Sequence, residues 1–455
     1  MTDVLLFCPR ADRPFHDKYF SLSPPLGMGY LAKALKAHGI SCKLIDCYCT
    51  PLSAREIQNL IYDEKPRMIG LLLYTESAST AFHICEIAKS LNHEIVTVVG
   101  GPHSTFKTQS FFESCFIDVA VINEGEEVIV NLWREINAKR DFSNIKGIMY
   151  VEDGVVIKNN ASTPIENLDN YGYPDRKWFP QVETYLAPST ILTSRGCPST
   201  CSFCGSANVL GSKYRVRSIS SIIEEAEYLT KIFPNDATIF WDDAFGHDTV
   251  RLVELCDAFR RMPMFKWTCG IRVDKVNREV LELMAHSGCV KINFGVESGS
   301  QLILDEAKKG ITLEQIKQAV KLAGDAGIYN SCSMMIGHPG ETHTTAMQSL
   351  LFAEELLQSG ATSCTFNALV PFPGTFVYEN RDELEINIVS ERWEDYNFLN
   401  PIIETKELNI AQLRKYLIMG LKLWSKYKKN RSGIDRKIYV RDALLSGNLL
   451  GRSVH

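Results

Sequence analysis

Two series of short apolar runs, separated by stretches with helical spacing, constrain this chain more than any other feature. In the first series the runs are Val4–Cys8, Cys42–Asp46, Met68–Tyr74, Ile95–Val99 and Val119–Asn123, all rich in Val, Ile and Leu. Helical stretches such as Leu26–His38, Ala54–Asp63 and Thr80–Leu91 lie between them. Strands that alternate with helices predict a parallel sheet with crossover helices, a doubly wound Rossmann-like domain. Such a sheet binds its ligand outside the carboxyl ends of its strands. Those ends carry Arg10–Gly27, Tyr74–Ser79, Gly100–Thr105 and Asn123–Glu127. The second series runs Thr190–Thr193, Ala237–Trp241, Trp267–Ile271, Val290–Val296, Ser331–Ile336 and Ser363–Val370. Helical segments Ser220–Ile232, Asp248–Arg261, Arg278–Ser287, Leu313–Ala326 and Thr344–Ser359 fill its gaps. Six parallel strands with helical crossovers predict an open, partial (β/α)6 TIM barrel, whose chemistry also collects at carboxyl strand ends.

Between the two series the pattern is irregular. Gly147–Lys158 reads as a hairpin turning at Asp153-Gly154, and Thr163–Pro174 is rich in Pro, Asp and Asn. The expected organisation is therefore a Rossmann-like domain over 1–145, a linker over 146–188, the barrel over 189–380 and a helical C-terminal region over 381–455. In that tail Leu413, Leu417, Leu421 and Trp424 recur at helical spacing around Ile410–Lys429, a core-facing stripe. The basic segment Lys422–Arg441 reads as a solvated helix face in preference to a contact with anionic lipid. No low-complexity segment or repeat of roughly 20–50 residues is visible.

Composition excludes several classes. The 455 residues suffice for two or three domains with buried cores. A formal net charge of -5 gives no bulk attraction to nucleic acid. No apolar run approaches the roughly 18–20 residues that span a bilayer. The segment Met1–Arg10 has only the short apolar run Val4–Phe7 and reads as a first strand, not a secretory signal. The 14 cysteines are scattered irregularly, which argues for reduced thiols in the cytoplasm, some reserved for metal.

Three of those cysteines are not scattered. After the strand ending at Thr193 comes Ser194-Arg-Gly-Cys197-Pro-Ser-Thr-Cys201-Ser-Phe-Cys204-Gly. Cysteine thiolates are the usual ligands of iron–sulfur clusters, and this Cys-x3-Cys-x2-Cys spacing lets one loop wrap a [4Fe–4S] cubane. Three ligands leave one iron open for another molecule. A structural zinc site normally wants four protein ligands, and the next candidates, His247 and Cys256, belong to later elements.

The loop resembles the motif of the radical S-adenosylmethionine (SAM) superfamily, three cysteines after the first barrel strand with an aromatic residue, here Phe203, before the third. The resemblance implies that the open iron chelates SAM through its amino and carboxylate groups. One electron then cleaves the sulfonium, and the 5′-deoxyadenosyl radical abstracts hydrogen from substrate. It also implies SAM-binding roles at successive strand ends. Asp242 and Asp243, in Ile239-Phe-Trp-Asp242-Asp243, stand where a carboxylate could pair with SAM's ammonium group or cap a helix; the common pattern there is Gly-Gly-Glu. Arg272 could hold a carboxylate bidentately or pair with Asp274. Glu297 and Ser298, in Gly-Val-Glu297-Ser298-Gly, suit ribose hydroxyls. Ile336 and Gly337, in Ile336-Gly337-His338-Pro-Gly-Glu341, resemble the adenine-side loop, with Ile336 packing on the base. His338 stands where relatives often have an aliphatic residue; it is either substrate-facing or a hydrogen-bonded loop histidine. Pro371-Phe-Pro373-Gly374 would stiffen the last barrel loop.

In the N-terminal domain, Pro24-Pro25-Leu26-Gly27, Gly100-Gly101-Pro102-His103 and Asn123-Glu124-Gly125-Glu126 resemble the cobalamin-binding domain of cobalamin-dependent (B12-binding) radical SAM enzymes. Glycines at strand ends permit close approach of a large flat ligand. The Asp-x-His-x-x-Gly signature that places histidine on cobalt is absent, so the lower cobalt face would meet Tyr74, Thr75 and Glu76. The resemblance as a whole implies an enzyme that uses a [4Fe–4S] cluster, SAM and cobalamin on a small organic substrate held between the two domains. Methylcobalamin-dependent C-methylation is the expected outcome; radical rearrangement, dehydration or cyclisation without methyl transfer is the rival. A cobalamin- or metal-binding regulatory protein is the rival outside enzymes. An electron donor such as flavodoxin or ferredoxin is implied as partner. No residue is assigned as a catalytic acid or base, and nothing in the sequence names the substrate.

Overall fold

The structure, a computed structural model, describes residues 2–11, 23–106, 111–112 and 116–428. It divides into two compact units. The first is Met1–Pro188 with Arg392–Glu394, and the second is Ser189–Glu391 with the chain from Asp395 onward.

The first unit is built on a seven-stranded sheet of order β2-β1-β3-β4-β5-β6-β7. Its strands are β1 Val4–Cys8, β2 Cys42–Asp46, β3 Met68–Leu72, β4 Val96–Gly100, β5 Val119–Val121, β6 Ile148–Glu152 and β7 Val155–Lys158. The first five run parallel. Helices cover both faces, so alternate residues of one strand enter different cores. Val4 and Leu6 pack on one side and Leu5 and Phe7 on the other. That is why these strands read as continuous apolar runs. The order 2-1-3-4-5 places the topological switch between β1 and β3, where such sheets bind their ligands.

The segment over 146–188 is not a linker, and this corrects the sequence expectation. β6 and β7 add antiparallel to the sheet edge. Their turn, Asp153-Gly154, has both residues in the left-handed region at φ 50° and 76°, as a two-residue hairpin requires. Beyond it, Phe179 and Tyr185 enter the same core as Leu6 and Val98. Glu124 Oε2 accepts the Ile165 N–H at 2.9 Å, fastening the segment from below. The Pro/Asp/Asn-rich composition marks turns within the unit rather than a bridge away from it.

The second unit holds a six-stranded sheet of order β15-β14-β13-β12-β11-β8. Its members are β8 Thr190–Ile191, β11 Thr238–Phe240, β12 Trp267–Ile271, β13 Cys289–Glu297, β14 Tyr329–Ile336 and β15 Ser363–Ala368. All adjacent pairs are parallel, which gives the partial barrel. A two-stranded ribbon, β9 Ser194–Arg195 with β10 Arg215–Val216, brackets the three-cysteine loop. Phe240, Phe245, Phe259 and Trp267 form an aromatic core between sheet and helices.

The C-terminal region packs onto this barrel instead of standing apart. Helix Ile410–Lys428 buries Leu413, Leu417 and Trp424. Gly420 lies so close to Phe366 of β15 that a Cβ would meet its ring at 2.3 Å. Beyond residue 428 the basic segment Lys422–Arg441 lies outside the described residues, as do residues 12–22 of the first strand-end loop. Among the described residues no helix is long and apolar enough to cross a membrane.

Candidate functional site

The three-cysteine loop is fixed at its entry by Asp242. Its carboxylate, at the end of β11, accepts the Thr193 N–H at 2.7 Å, the Ser194 hydroxyl at 2.6 Å and the Thr193 hydroxyl. Burial pushes Asp242 up to about 6, against the pull of those hydrogen bonds. Asp243 accepts the Ser206 hydroxyl at 2.8 Å on the far side of the loop. Neither aspartate caps a helix; Asp248 does that for Thr249–Phe259. Asp242 is thus tied to the strand that launches the loop.

Gly196 precedes the first cysteine at φ 88°, where a Cβ would lie 2.2 Å from the Lys213 carbonyl oxygen. Only glycine fits there. The Cys197 N–H then reaches Gly211 O at 3.1 Å, and the Cys204 N–H closes a turn on Cys201 O at 3.1 Å. The Ser202 N–H donates to Ala307 O, and Ser202 O accepts from the Val377 N–H. The loop is therefore anchored from several elements while Cys197 is buried, Cys201 half-buried and Cys204 exposed.

The donor chemistry fits a cubane. Each thiolate of a [4Fe–4S] cluster binds a different iron, so the sulfurs need not gather round one point. Among the described residues no three Cys, His, Asp or Glu side chains do so. Burial raises the Cys201 thiol, while the charges of Lys309 and Arg272 act to lower it. Two cations beside an anionic thiolate loop oppose the cost of concentrating negative charge there.

Lys309 is the residue that sequence reasoning missed. Its ammonium sits 2.8 Å from Glu297 Oε1, with both side chains 9% exposed, and 5.7 Å from the centre of the Phe203 ring. Nothing in periodicity separates it from neighbouring Lys308; only the fold shows which of the two turns inward. Glu297 itself adopts φ 68°, rare for a residue with a side chain, at the register shift between β13 and β14. Ser298 is turned inward and shares its hydroxyl with Ser349 at 3.1 Å, so it braces the turn. Arg272 pairs with Asp274 at 2.8 Å and donates to Lys309 O at 2.9 Å. Of its two expected roles, the ion pair is the one formed.

The β14 end completes the set. Ile336 is buried, and Gly337, at φ 104°, donates its N–H to Glu341 Oε2 at 2.5 Å. His338 is 1% exposed and meets Phe203 edge-on, with ring centroids 5.7 Å apart. Neither of its nitrogens has a hydrogen-bond partner, nor has Glu341 Oε1. A hydrogen-bonded loop histidine is not what the structure contains. Orphaned buried polar atoms next to the three-cysteine loop fit a bound polar small molecule such as SAM.

In the first unit the proposed cobalamin contacts divide in two. Thr75 and His103 bond each other at 3.0 Å, and His103 lies against Phe111 and Trp393. Glu76 accepts the Tyr48 hydroxyl at 3.0 Å, Glu124 is bound to Ile165, and Leu26 and Glu126 are buried. These groups brace the strand-end loops from within. Gly27 is exposed with open space around its α-carbon, Tyr74 is 41% exposed, and Gly100, Gly101, Pro102 and Gly125 are half-buried. Gly101, at φ 117°, approaches the Leu73 backbone so closely that a Cβ would lie 3.0 Å from its oxygen. Small residues and an aromatic ring at the switch-point strand ends fit a broad, flat ligand such as a corrin.

Comparison with known proteins agrees with this division. Residues 191–353 match the Radical SAM superfamily model and residues 16–132 the B12 binding domain model. An uncharacterized methyltransferase, PH0819, of Pyrococcus horikoshii is 30% identical over 91% of this chain and 90% of its own length. The anaerobic magnesium-protoporphyrin IX monomethyl ester cyclase of Rubrivivax gelatinosus is 28% identical over 91% of this chain and 80% of its own. In fold, the radical SAM methyltransferase TsrM of Kitasatospora setae, solved with tryptophan and a SAM analogue, superposes with a TM-score of 0.75. It covers 93% of this chain and 89% of that one at 18% identity.

Proposed function

This chain belongs to the cobalamin-binding radical SAM family, and we propose that it methylates an unactivated carbon of a small organic substrate. It is an enzyme whose cofactors are a [4Fe–4S] cluster, SAM and cobalamin. When bound, the cluster with SAM supplies a 5′-deoxyadenosyl radical that takes hydrogen from the substrate, and cobalamin supplies the methyl group.

The protein's own side chains hold and shield these groups. Cys197, Cys201 and Cys204 would hold the cluster through their thiolates, and a three-cysteine loop would leave a place on it for SAM. Glu297, held by Lys309, offers its carboxylate to ribose hydroxyls. Ile336 packs on the base, and the positive φ of Gly337 brings the backbone close to it. Phe203, Ile336 and His338 form a mostly buried, water-poor wall beside the loop, where polar contacts are stronger than in water. In the first unit Gly27, Tyr74, Gly100, Gly101 and Pro102 would receive the corrin. In this reading the electron donor is a flavodoxin or ferredoxin, and the irregular scatter of cysteines favours a cytoplasmic enzyme with reduced thiols.

The observation that carries this reading is the three-cysteine loop anchored at a barrel strand end beside the Glu297–Lys309 pair and the orphaned His338. Similarity to a methyltransferase over nine-tenths of both chains supports methylation. The cyclase relative supports the second reading, radical ring closure without methyl transfer. Product ratios separate the two. Methylation consumes two SAM and two electrons per product and yields S-adenosylhomocysteine and 5′-deoxyadenosine in equal amounts. Substrate turnover with cobalamin bound that yields 5′-deoxyadenosine alone would refute methylation and establish the second reading.

A further inference from the structure

A carboxylate that binds ribose hydroxyls needs no buried cation, yet Lys309 is held beside Glu297 with its ammonium 2.8 Å away. The surroundings are built for that ammonium. Helix Gln301–Glu306 ends in a left-handed turn at Lys308, φ 52°, and the Lys309 N–H closes on Leu304 O at 3.0 Å. Arg272 donates to the Lys309 carbonyl at 2.9 Å. Gly295 of β13 leaves the room, since a Cβ there would lie 2.9 Å from Lys309 Nζ. The same turn is tied to the cysteine loop, because the Ser202 N–H donates to Ala307 O at 3.0 Å. The ammonium lies 5.7 Å from the centre of the Phe203 ring, and Phe203 stands between Cys201 and Cys204 in sequence.

Burial works against the ammonium, and the charges of Glu297 and then Cys201 outweigh it, so Lys309 stays protonated. Glu297 does not cancel its reach to the loop. At Cys201 burial raises the thiol, Lys309 is the strongest charge lowering it, and Glu297 is the weakest charge raising it. Arg272 is the weaker cation there, partly exposed and paired with Asp274. Three thiolates on an oxidised, doubly positive [4Fe–4S] core carry one net negative charge, and one electron from a low-potential donor makes it two. No bond breaks and no proton moves in that step. A buried cation stabilises the more negative state, and net charge is one of the levers on a cluster's potential. We propose that Lys309 is a positioning residue whose charge raises the reduction potential of the cluster, easing entry of the electron. This rests on the cluster assignment and gives Lys309 a role beyond holding Glu297.

The test is a redox titration of anaerobically reconstituted full-length protein without SAM, following the electron paramagnetic resonance signal of the reduced cluster. K309M removes the charge and keeps the length of the side chain, K309R keeps the charge, and K308M removes a cation from the exposed neighbour. K309M should bind wild-type iron and shift the equilibrium toward the oxidised cluster at least tenfold, about 59 mV downward for one electron. K309R and K308M should keep the wild-type potential. E297Q strips the ammonium of its counter-charge and should move the potential upward, whereas a merely structural pair would give both losses the same sign. Wild-type potential in K309M with its iron intact would overturn the inference and leave the cluster assignment standing. If K309M loses its iron, E297Q decides, and a potential there at or below wild type would overturn the inference. Wild type that binds no iron would refute the cluster assignment, and the inference with it.

Discussion

Glu341→Gln isolates the cost of one buried carboxyl. Gln keeps an oxygen for the Gly337 N–H but cannot ionise. In the wild type, burial raises Glu341 to about 7 from an ordinary 4.5, even though the Gly337 and His338 N–H groups pull it down. An acid whose folded value lies above its unfolded value weakens the fold when it ionises. Its contribution is intact below about pH 4.5 and is lost as pH rises toward and through 7. At about 1.36 kcal/mol per unit, a gap of about 2.5 units removes roughly 3 kcal/mol at pH 8 and under 1 kcal/mol at pH 5. His338 is lowered to about 4 and stays neutral through this window. Tyr416, raised by burial and by the Glu341 charge, stays protonated in it. Other carboxylates titrate equally in both proteins and cancel in the difference. Urea unfolding of cofactor-free wild type and E341Q at pH 5 and pH 8 should show the stability difference moving by about 2–3 kcal/mol in favour of the variant. A difference that does not change with pH would refute the reasoning, since it would mean that Glu341 is ionised at no cost where it sits.

The remaining predictions concern the cofactors. Changing Cys197, Cys201 and Cys204 together to Ala should abolish iron binding and the broad visible absorption of the reconstituted protein, and retained iron would remove the assignment. Asp242→Asn keeps the size but weakens three charge-assisted hydrogen bonds, so it should cost about 1–3 kcal/mol in unfolding and lower the iron bound per chain. Cobalamin should be retained near one per chain through gel filtration, and its cob(II)alamin form should show no nitrogen superhyperfine splitting in electron paramagnetic resonance. A split signal would mean that a histidine reaches the metal after all.

Much of the fold was legible because its signal is local. Parallel strands buried on both faces are uninterrupted apolar runs, and Val4–Cys8 announces itself without reference to anything distant. The cysteine loop was legible for the same reason, since one short segment carries every ligand. What failed was information held between distant residues. The segment 146–188 looks like a linker because its turns are polar, yet Phe179 and Tyr185 find their core only once β1 and β4 are beside them. The bracing role of Asp242 is hidden because its donors, Thr193 and Ser194, lie nearly fifty positions earlier. The bonds of His103 to Thr75 and of Glu124 to Ile165 are hidden in the same way.

The barrel end concentrates three carboxylates, and the way each is satisfied separates support from recognition. Asp242 takes two hydroxyls and an amide, Glu297 takes the Lys309 ammonium, and Glu341 takes only the Gly337 and His338 N–H groups on one side. A buried charge is tolerated where donors or a counter-charge surround it and is costly where they do not. By that rule the strand end at Asp242 is complete within the protein and serves to aim the cysteine loop. The end at Glu341 is incomplete, and the incompleteness extends to the adjacent imidazole. A fold stabilised by its own contacts alone would have little reason to bury three unmatched atoms there, when Leu or Gln would cost less. The unmatched atoms lie in the loop after β14, whose neighbour β13 ends in Glu297 at φ 68°. Unmatched polar atoms and a positive φ on adjacent strand ends, beside the three-cysteine loop, are the pattern of a site that is completed by what it binds.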